Sequence, residues 1–228
     1  MREDAGIVDL RASRFFTRED PSDRDVVYPL PEAWWSRPYE YAWASELVRS
    51  ADIVLDVACG VCHPFKFRLA ELARETYACD NDPRVTSHDA IVADIAESAG
   101  AEAAAGFDRA RLSQVRLAAC DMTRTPYADR TFDRVFCISV FEHLAVRDQL
   151  RSLLEFTRVL KDDGLIVMTV DHPTVDLERL ASHLAAVGLA FAGGADFTIP
   201  DDAISSSYWG PELRCARVVV GKDPAFRD

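Results

Sequence analysis

The chain has 228 residues, 49% apolar and 28% charged, which is enough to bury one core without disulfides or a bound metal. Its formal net charge of −12 argues against a nucleic-acid partner, because an acidic surface repels a phosphate backbone. The longest apolar runs are far too short to span a bilayer and the N-terminus has no apolar signal core, so we expect a cytoplasmic protein whose six cysteines are thiols.

The first fifty residues differ in composition from the rest. Residues 1–30 are charged and rich in turn-forming residues, and we expect part of them to be loosely ordered. An aromatic stretch follows, and after Pro38 the spacing of Tyr39, Trp43 and Leu47 predicts one face of a helix. We expect residues 1–50 to form an N-terminal segment and cap, which either packs on the domain or acts as a lid over a pocket.

From residue 52 onward, predicted strands alternate with predicted helices. Apolar runs predict strands at 52–57, 76–80, 115–121, 132–140, 165–170 and 213–220, the last paired with a strand near 190–199. Helices are predicted at 64–75, within 90–106, at 147–160 and at 176–189. This alternation predicts an α/β fold with a doubly wound, mostly parallel sheet across residues 51–228.

Carboxylates stand at the ends of the first three predicted strands. In sheets of this kind, ligands bind beyond the carboxyl ends of the strands. Asp80 lies 24 positions after Asp56. This is close to the spacing, about 20 residues after the glycine turn, at which a carboxylate accepts hydrogen bonds from the two hydroxyls of a ribose. Asp121 can accept a hydrogen bond from an exocyclic amine, and Met122 can cover an aromatic ring. Asp80 and Asp121 are also compatible with simple capping of a turn or helix.

The stretch CGVCH, residues 59–63, matches the Cys-x-x-Cys-His motif of a covalent haem attachment site. Pro64 restricts His63 to extended backbone, and the loop lies between a strand and a helix, which disfavours haem. A redox Cys-x-x-Cys leaves Asp56 without a role, and zinc requires two further ligands. We therefore expect no metal at this loop and interpret it as part of a cofactor site.

Four stretches in order resemble the signatures of class I S-adenosylmethionine-dependent methyltransferases, and most closely the small-molecule group. They are VLDVACG, YACDND, AACDMTRTPYADRTFDRVFCISVFEHL and EFTRVLKDDGLIVM, between Ile53 and Thr169. The resemblance implies a Rossmann-like seven-stranded sheet with the last strand antiparallel. It also implies adenine near Asp121 and Met122, ribose on Asp80, and the methionine part near residues 56–60.

The predicted site combines these positions with backbone after the fourth strand and with one arginine from the cap. The predicted cofactor-binding residues are Arg37, Asp56, Ala58, Cys59, Gly60, Asp80, Asn81, Asp121, Met122, Ile138 and Ser139. Arg37 would pair with the carboxylate of the cofactor. His143 is the candidate general base beside the acceptor; the alternative is a residue at the start of a helix that shapes the pocket or hydrogen-bonds the backbone.

Two residues depart from the Gly-x-Gly-x-Gly loop of the family. Ala58 replaces the first glycine, which is a mild change if the backbone there keeps φ below zero. Cys62 replaces the third, and its Cβ stands where the chain approaches the ligand or the helix. Gly60, the central glycine, is retained.

The predicted function is in-line transfer of a methyl group from S-adenosylmethionine to a small-molecule acceptor, with S-adenosylhomocysteine as product. The acceptor would be covered by the aromatic segment 34–43 and by residues near Tyr208 and Trp209. One alternative is a nicotinamide-dependent oxidoreductase, although residues 58–63 keep one of the three glycines its motif requires. The other is a protein that binds S-adenosylmethionine without catalysis. We expect no nucleic-acid or membrane partner.

Overall fold

The computed structural model describes residues 10–226. The α-helices are α1 (Arg37–Glu46), α2 (Phe65–Leu72), α3 (His88–Ser98), α4 (Ala101–Gly106), α5 (Val146–Val159) and α6 (Leu177–Ala186). The strands are β1 (Arg14–Phe15), β2 (Ile53–Val57), β3 (Glu75–Asp80), β4 (Val115–Ala119), β5 (Phe132–Ile138), β6 (Leu160–His172), β7 (Leu189–Phe191) and β8 (Arg214–Lys222). Short 3₁₀ helices cover Pro83–Thr86, Arg109–Gln114, Phe141–His143 and Pro224–Phe226.

All eight strands form one sheet. From one edge the order is β4, β3, β2, β5, β6 and β8, and the first five of these strands are parallel. Strand β8 runs antiparallel to β6, and its outer edge pairs with both β7 and β1. The chain moves outward from β2 in one direction through β3 and β4, and in the other through β5 and β6. The order therefore reverses at β2, which places the ligand crevice beyond its carboxyl end.

The predicted doubly wound, mostly parallel sheet with an antiparallel last strand is confirmed. The structure adds β1, a two-residue strand within the segment expected to be loosely ordered, so the sheet has eight strands rather than seven. Residues 1–9 of that segment lie outside the described residues. The predicted partner of the last strand is β7, at the start of the expected range.

Side chains of alternating strand positions pack against helices on the two faces of the sheet. On one face, Leu55 and Val57 of β2 share a core with α5 and α6, through residues such as Phe156 and Leu184. On the other, Val54 packs with α1 and α2. A third cluster joins α2, α3 and α4 over β3 and β4. The strands are apolar on both faces because both faces are covered.

The loops that begin helices are fixed by side-chain caps. Ser87 accepts a hydrogen bond from the amide of Ala90 at the start of α3, and Asp176 accepts one from the amide of Arg179 at the start of α6. Helix α2 starts directly after Pro64, whose missing amide proton costs nothing at a helix N-terminus. Among residues 10–226, no helix combines the length and the apolar character needed to cross a membrane.

Candidate active site

A cavity of about 500 Å³ lies at the carboxyl ends of β2, β3, β4 and β5, bounded by α1. Every residue of the predicted site lines it: Arg37, Asp56, Ala58, Cys59, Gly60, Asp80, Asn81, Asp121, Met122, Ile138, Ser139 and His143. They converge because the ends of parallel strands meet at one edge of the sheet. The lining also includes Tyr41 of the aromatic segment and residues that the sequence did not single out for this role, among them His63, Phe65 and Cys120.

The loop after β2 is held by hydrogen bonds to the neighbouring strand. The Cys59 amide donates to the carbonyl of Cys79 at 3.0 Å, and the Gly60 amide donates to Oδ2 of Asp80 at 2.8 Å. Gly60 has φ +63°, and a Cβ added there would overlap Cδ2 of His63. This glycine is therefore required both by its backbone conformation and by the side chain packed against it.

Ala58 does not meet the condition under which alanine would be a mild replacement for the first glycine. Its φ is +49°, in the left-handed region that glycine adopts freely and alanine adopts at a cost of about 1 kcal/mol. Ala58 therefore keeps the path of the family loop by accepting strain rather than by avoiding it. Ser139, which follows β5 on the other side of the cavity, has φ +45°. Left-handed residues of this kind are found where neighbouring structure fixes a functional loop.

Lys66 on α2 supports the same loop from within the protein. The residue is fully buried, and its ammonium donates to the carbonyls of Gly60 at 2.8 Å, His63 at 2.6 Å and Cys59 at 3.5 Å. A lysine ammonium has three donors on a compact charge, which matches three converging carbonyls. The sequence marked this position only as part of a helix.

Asp80 and Asp121 each fix a turn and also face the cavity. Oδ1 of Asp80 accepts from the Asp82 amide at 2.9 Å, and Oδ1 of Asp121 accepts from the Thr123 amide at 2.8 Å. The capping role considered from the sequence is therefore real for both residues. It does not exclude ligand binding, because a carboxylate offers about four acceptor positions and these bonds use one or two.

Asp56 lies at the end of β2 and is 3% exposed. Burial raises its pKa to about 7; the nearby ammonium of Lys66 opposes this rise and the carboxylate of Asp80 adds to it. A carboxyl group with this pKa is partly protonated near neutral pH, so it can act either as a donor or as an acceptor.

Arg37 and Glu40 join α1 to the ends of β5 and β8. Arg37 Nη1 pairs with Glu40 at 2.6 Å and Arg37 Nη2 donates to the Ser139 carbonyl at 3.4 Å. Glu40 also accepts from Ser139 Oγ at 2.5 Å and from Cys215 Sγ at 3.1 Å. Burial acts to raise the pKa of Glu40, but Arg37 and these hydrogen bonds outweigh it and lower the pKa. The only sequence signal for Glu40 was its i, i+3 spacing from Arg37.

His143 ends the 3₁₀ helix after β5 and is exposed. It lines the cavity, but no structural feature assigns it a catalytic role. Its neighbour Glu142 is more enclosed: burial and the carboxylate of Asp171 raise the pKa of Glu142 to about 8. Burial raises the pKa of Asp171 to about 7, and the negative charge of Glu40 adds to this rise. Glu142 Oε2 and Asp171 Oδ1 are buried without a hydrogen-bond partner in the part of the chain that the structure describes.

The cysteines of CGVCH are buried thiols. Burial raises the pKa of Cys59, and it raises the pKa of Cys62 to about 11, which disfavours the thiolate that redox chemistry and metal binding require. The carbonyl of Cys62 accepts a hydrogen bond from the hydroxyl of Tyr28. Across residues 10–226, no three side chains of His, Cys, Asp or Glu are arranged to hold a metal ion.

The aromatic segment contributes to the site in part. Tyr41 lines the cavity, and the Trp34 ring stacks on His63 with centroids 4.0 Å apart. Trp43 instead packs in the core against Phe16. Tyr208 is 62% exposed and lines a separate cavity together with Trp35, which precedes α1, and Tyr39 of α1. Trp209 is 72% exposed. Neither Tyr208 nor Trp209 lines the strand-end cavity.

A family model described as a methyltransferase domain matches residues 55–168, which is half of the chain. The chain belongs to this family. The match includes the strand-end motifs from Asp56 to Ser139, so the resemblance to class I S-adenosylmethionine-dependent methyltransferases is confirmed. Methyltransferase GfsG from Streptomyces halstedii is 35% identical over 150 residues, which are 65% of this chain and 47% of that protein. The chain thus spans about half the length of this curated relative.

Solved structures show the same fold at low sequence identity. The TehB-like SAM-dependent methyltransferase from Corynebacterium glutamicum aligns with a TM-score of 0.56 and 15% identity, over 81% of this chain and 87% of that one. The chain also aligns with the 1,6-didemethyltoxoflavin-N1-methyltransferase from Burkholderia thailandensis, solved with 1,6-didemethyltoxoflavin and S-adenosylhomocysteine bound. The TM-score is 0.54 and the identity 17%, over 84% of this chain and 82% of that one.

The residues present fit S-adenosylmethionine, the cofactor that the family implies. The floor of the cavity at Gly60 has no side chain, and a Cβ there would meet His63. Carboxylates lie at the β3 and β4 ends, where hydroxyl and amine groups need acceptors. Arginine, histidine and tyrosine side chains line the α1 side, where a carboxylate needs donors.

Proposed function

We propose that this protein transfers a methyl group from S-adenosylmethionine to a small-molecule acceptor. The observation that carries the proposal is that the strand-end residues of the matched family segment converge on one cavity. When bound, S-adenosylmethionine supplies an electrophilic methyl group on a sulfonium centre. The contribution of the chain is mainly to hold both reactants in line, which accounts for much of the rate of such a displacement.

Each part of the cavity has a proposed role in holding the cofactor. Asp80 accepts hydrogen bonds from the ribose hydroxyls, and Asp121 with Met122 holds the adenine. The loop from Asp56 to Gly60, with Ile138 and Ser139 opposite, surrounds the methionine part. Asn81 borders the ribose position, and Arg37 faces the carboxylate. His143 is the candidate to accept a proton from the acceptor.

The proposed acceptor is a small molecule rather than a nucleic acid. The formal charge of −12 disfavours a polyanion, and the Burkholderia methyltransferase with the same fold was solved with 1,6-didemethyltoxoflavin bound. Tyr41 lines the cavity, and Trp34 stacks on the lining residue His63; these aromatic rings support an apolar or flat acceptor. We further propose that residues 1–50 act as a cap on the domain formed by residues 51–228.

Calorimetry with S-adenosylhomocysteine tests the proposal through Asp80→Ala. We expect micromolar binding to the wild-type protein and an affinity at least 100-fold weaker in the variant. The Asp80 carboxylate accepts from the loop amide of Gly60 and, in the proposal, from the ribose, so both lose their acceptor. Glu97→Ala, an exposed position on α3, is the matched control and should bind like the wild type. Well-folded wild-type protein that binds neither S-adenosylmethionine nor S-adenosylhomocysteine would rule the function out.

Mass spectrometry distinguishes an enzyme that transfers the methyl group from a protein that only binds the cofactor. Incubation with S-adenosylmethionine and candidate acceptors should give a product about 14 Da heavier than the acceptor, together with S-adenosylhomocysteine. Binding without any such gain across a broad panel of acceptors would favour the non-catalytic alternative. No observation favours the nicotinamide alternative, since one of the three required glycines is present and the family match is to methyltransferases.

A further inference from the structure

His63, the last residue of CGVCH, is held on two sides. Its Nδ1 lies 2.9 Å from the hydroxyl of Tyr41, and its ring stacks on Trp34 with an angle of 20° between the planes. The family loop pattern ends before this residue, and metal ligation was the role considered for it from the sequence. With one nitrogen and one ring face engaged, the orientation of the imidazole is fixed.

The contact with Tyr41 determines which nitrogen carries the proton. Tyr41 is 2% exposed, and within residues 10–226 its hydroxyl has no other hydrogen-bond partner. A buried hydroxyl proton needs an acceptor, so Tyr41 donates and Nδ1 of His63 accepts with its lone pair. In a neutral imidazole the proton is then on Nε2. Burial, together with the positive charges of Arg37 and Lys66, lowers the pKa of His63 well below its usual value and keeps the ring neutral.

The edge of the His63 ring opposite Nδ1 is turned toward Gly60. His63 lines the cavity, and its Cδ2, the atom bonded to Nε2, is the atom packed over Gly60. Nε2 has no acceptor among the described residues. The side chain therefore presents an N–H donor, with a fixed direction, beside the glycine loop.

Two basic side chains, Arg37 and Lys66, lie close enough to act electrostatically on His63. Arg37 lines the same cavity, and Lys66 supports the loop from below. Arg37 forms an ion pair with Glu40, which partly neutralises its charge. A second hydrogen-bond donor therefore strengthens the binding of an anion at this place. The carboxylate of Asp80 lies at the last residue of β3, and that of Asp121 lies just after β4. A ligand with a carboxylate at one end and hydroxyl and amine groups at the other matches this distribution.

We propose that Nε2–H of His63 donates a hydrogen bond to the amino-acid carboxylate of S-adenosylmethionine, alongside Arg37. The inference rests on the proposed function and assigns one residue of this chain to one group of the cofactor. Tyr41 acts through His63 as a positioning residue, because its hydroxyl selects the tautomer that places the proton on Nε2.

Two ligands distinguish this role from a general effect on the loop. S-adenosylhomocysteine carries the carboxylate, whereas 5′-methylthioadenosine lacks the amino-acid tail and keeps the adenosine. In calorimetry, His63→Phe should weaken the binding of S-adenosylhomocysteine at least 10-fold. It should change the affinity for 5′-methylthioadenosine less than 2-fold. Phenylalanine can still stack on Trp34 but has no donor. His63→Gln, whose amide nitrogen can replace Nε2 as donor, should recover most of the lost affinity, and Tyr41→Phe should cost 2- to 5-fold for S-adenosylhomocysteine alone.

The outcomes that overturn the inference differ from those that overturn the function. Equal weakening of both ligands by His63→Phe would show that His63 only supports the loop, and unchanged binding of both would show that it does not contact the cofactor. Either result leaves the methyltransferase proposal in place. Wild-type protein that binds neither ligand would instead overturn the function, and the inference with it. Thermal unfolding of each variant confirms that the compared proteins are folded.

Discussion

Lys66 explains how the loop after β2 keeps its shape with two of the family glycines replaced. Alanine at position 58 is strained, and the side chain of Cys62 is buried where glycine has none. Three carbonyls of this loop nevertheless converge on one ammonium inside the protein. The charge-assisted hydrogen bonds stabilise a backbone path that the local residues alone would not favour.

We expect Lys66→Met to lower the free energy of unfolding by about 2 to 3 kcal/mol, since methionine fills the space of the aliphatic chain but leaves buried carbonyls without a donor. Urea unfolding followed by circular dichroism measures this change. Lys161→Met is the matched control: Lys161 pairs with Asp133 near the surface, and its loss should cost less than about 1 kcal/mol. Equal effects of the two substitutions would contradict the supporting role of Lys66.

Individual site residues differ in how far the sequence could reveal them. Asp56, Asp80 and Asp121 were predictable because each stands at or just after the end of a strand, and strand ends converge. Lys66 and Glu40 were not, because a lone charged residue in a helix usually faces solvent, and its burial depends on partners distant in the chain. The conformation of Ala58 was also unpredictable, since strain is set by the surrounding hydrogen bonds rather than by the residue itself.

Helix α1 is the element that connects the N-terminal segment to the cavity. Tyr41 and Arg37, one turn apart, face the strand ends, while Trp43 and Ala44 pack into the core. Glu40 is fully buried between α1, β5 and β8 and takes part in three polar contacts there. A buried ion pair is sensitive to the loss of one partner, because the remaining charge has no compensation.

Glu40→Ala should therefore destabilise the protein by about 3 to 5 kcal/mol, by leaving the Arg37 charge unpaired at the cavity wall. Hydrogen exchange should show the amides of α1 losing protection before those of β5 and β6. Glu46→Ala, at the exposed last residue of the same helix, provides the comparison and should change stability by less than about 0.5 kcal/mol. Similar exchange rates in the two variants would show that Glu40 does not anchor α1.

The principal strands and helices were predictable to within a few residues because their apolar runs are long and both faces of the sheet are covered. Strand β1 was not, since two residues in a charged, turn-rich segment carry no periodic pattern. Its position depends on pairing with Ala216 and Arg217 of β8, near the other end of the chain. Pairing partners at such separation cannot be inferred from local sequence.

Buried carboxyl groups give the folded protein a specific pH dependence. Asp56 and Asp171 have pKa values of about 7 and Glu142 has one of about 8, all above the usual range. The folded state therefore binds more protons than the unfolded state above about pH 4, and stability falls as pH rises toward 8. The lowered pKa of His63 acts in the opposite direction, but only below about pH 6.5, where an unfolded histidine is protonated.

Between pH 6.5 and 8 the carboxyl groups dominate, and the free energy of unfolding of the ligand-free protein should fall by up to about 1.4 kcal/mol per pH unit for each proton involved. Urea unfolding at half-unit pH steps measures this slope. Glu142→Gln removes the group with the highest of these pKa values and should flatten the slope near pH 8, whereas Glu97→Gln should not. A slope unchanged by Glu142→Gln would show that Glu142 is already ionised in this range.

The pairing of β1 with β8 also sets an order of events during synthesis. Strand β1 leaves the ribosome about 200 residues before its partner, a delay of roughly 10 to 40 s at typical rates of translation. Throughout that interval Phe15 and Phe16, which end up almost completely buried, have no sheet edge to pack against. Strand β1 therefore cannot pair with β8 until β8 has emerged, and before then it can be covered by residues nearer in the chain, such as Trp43, which packs against Phe16.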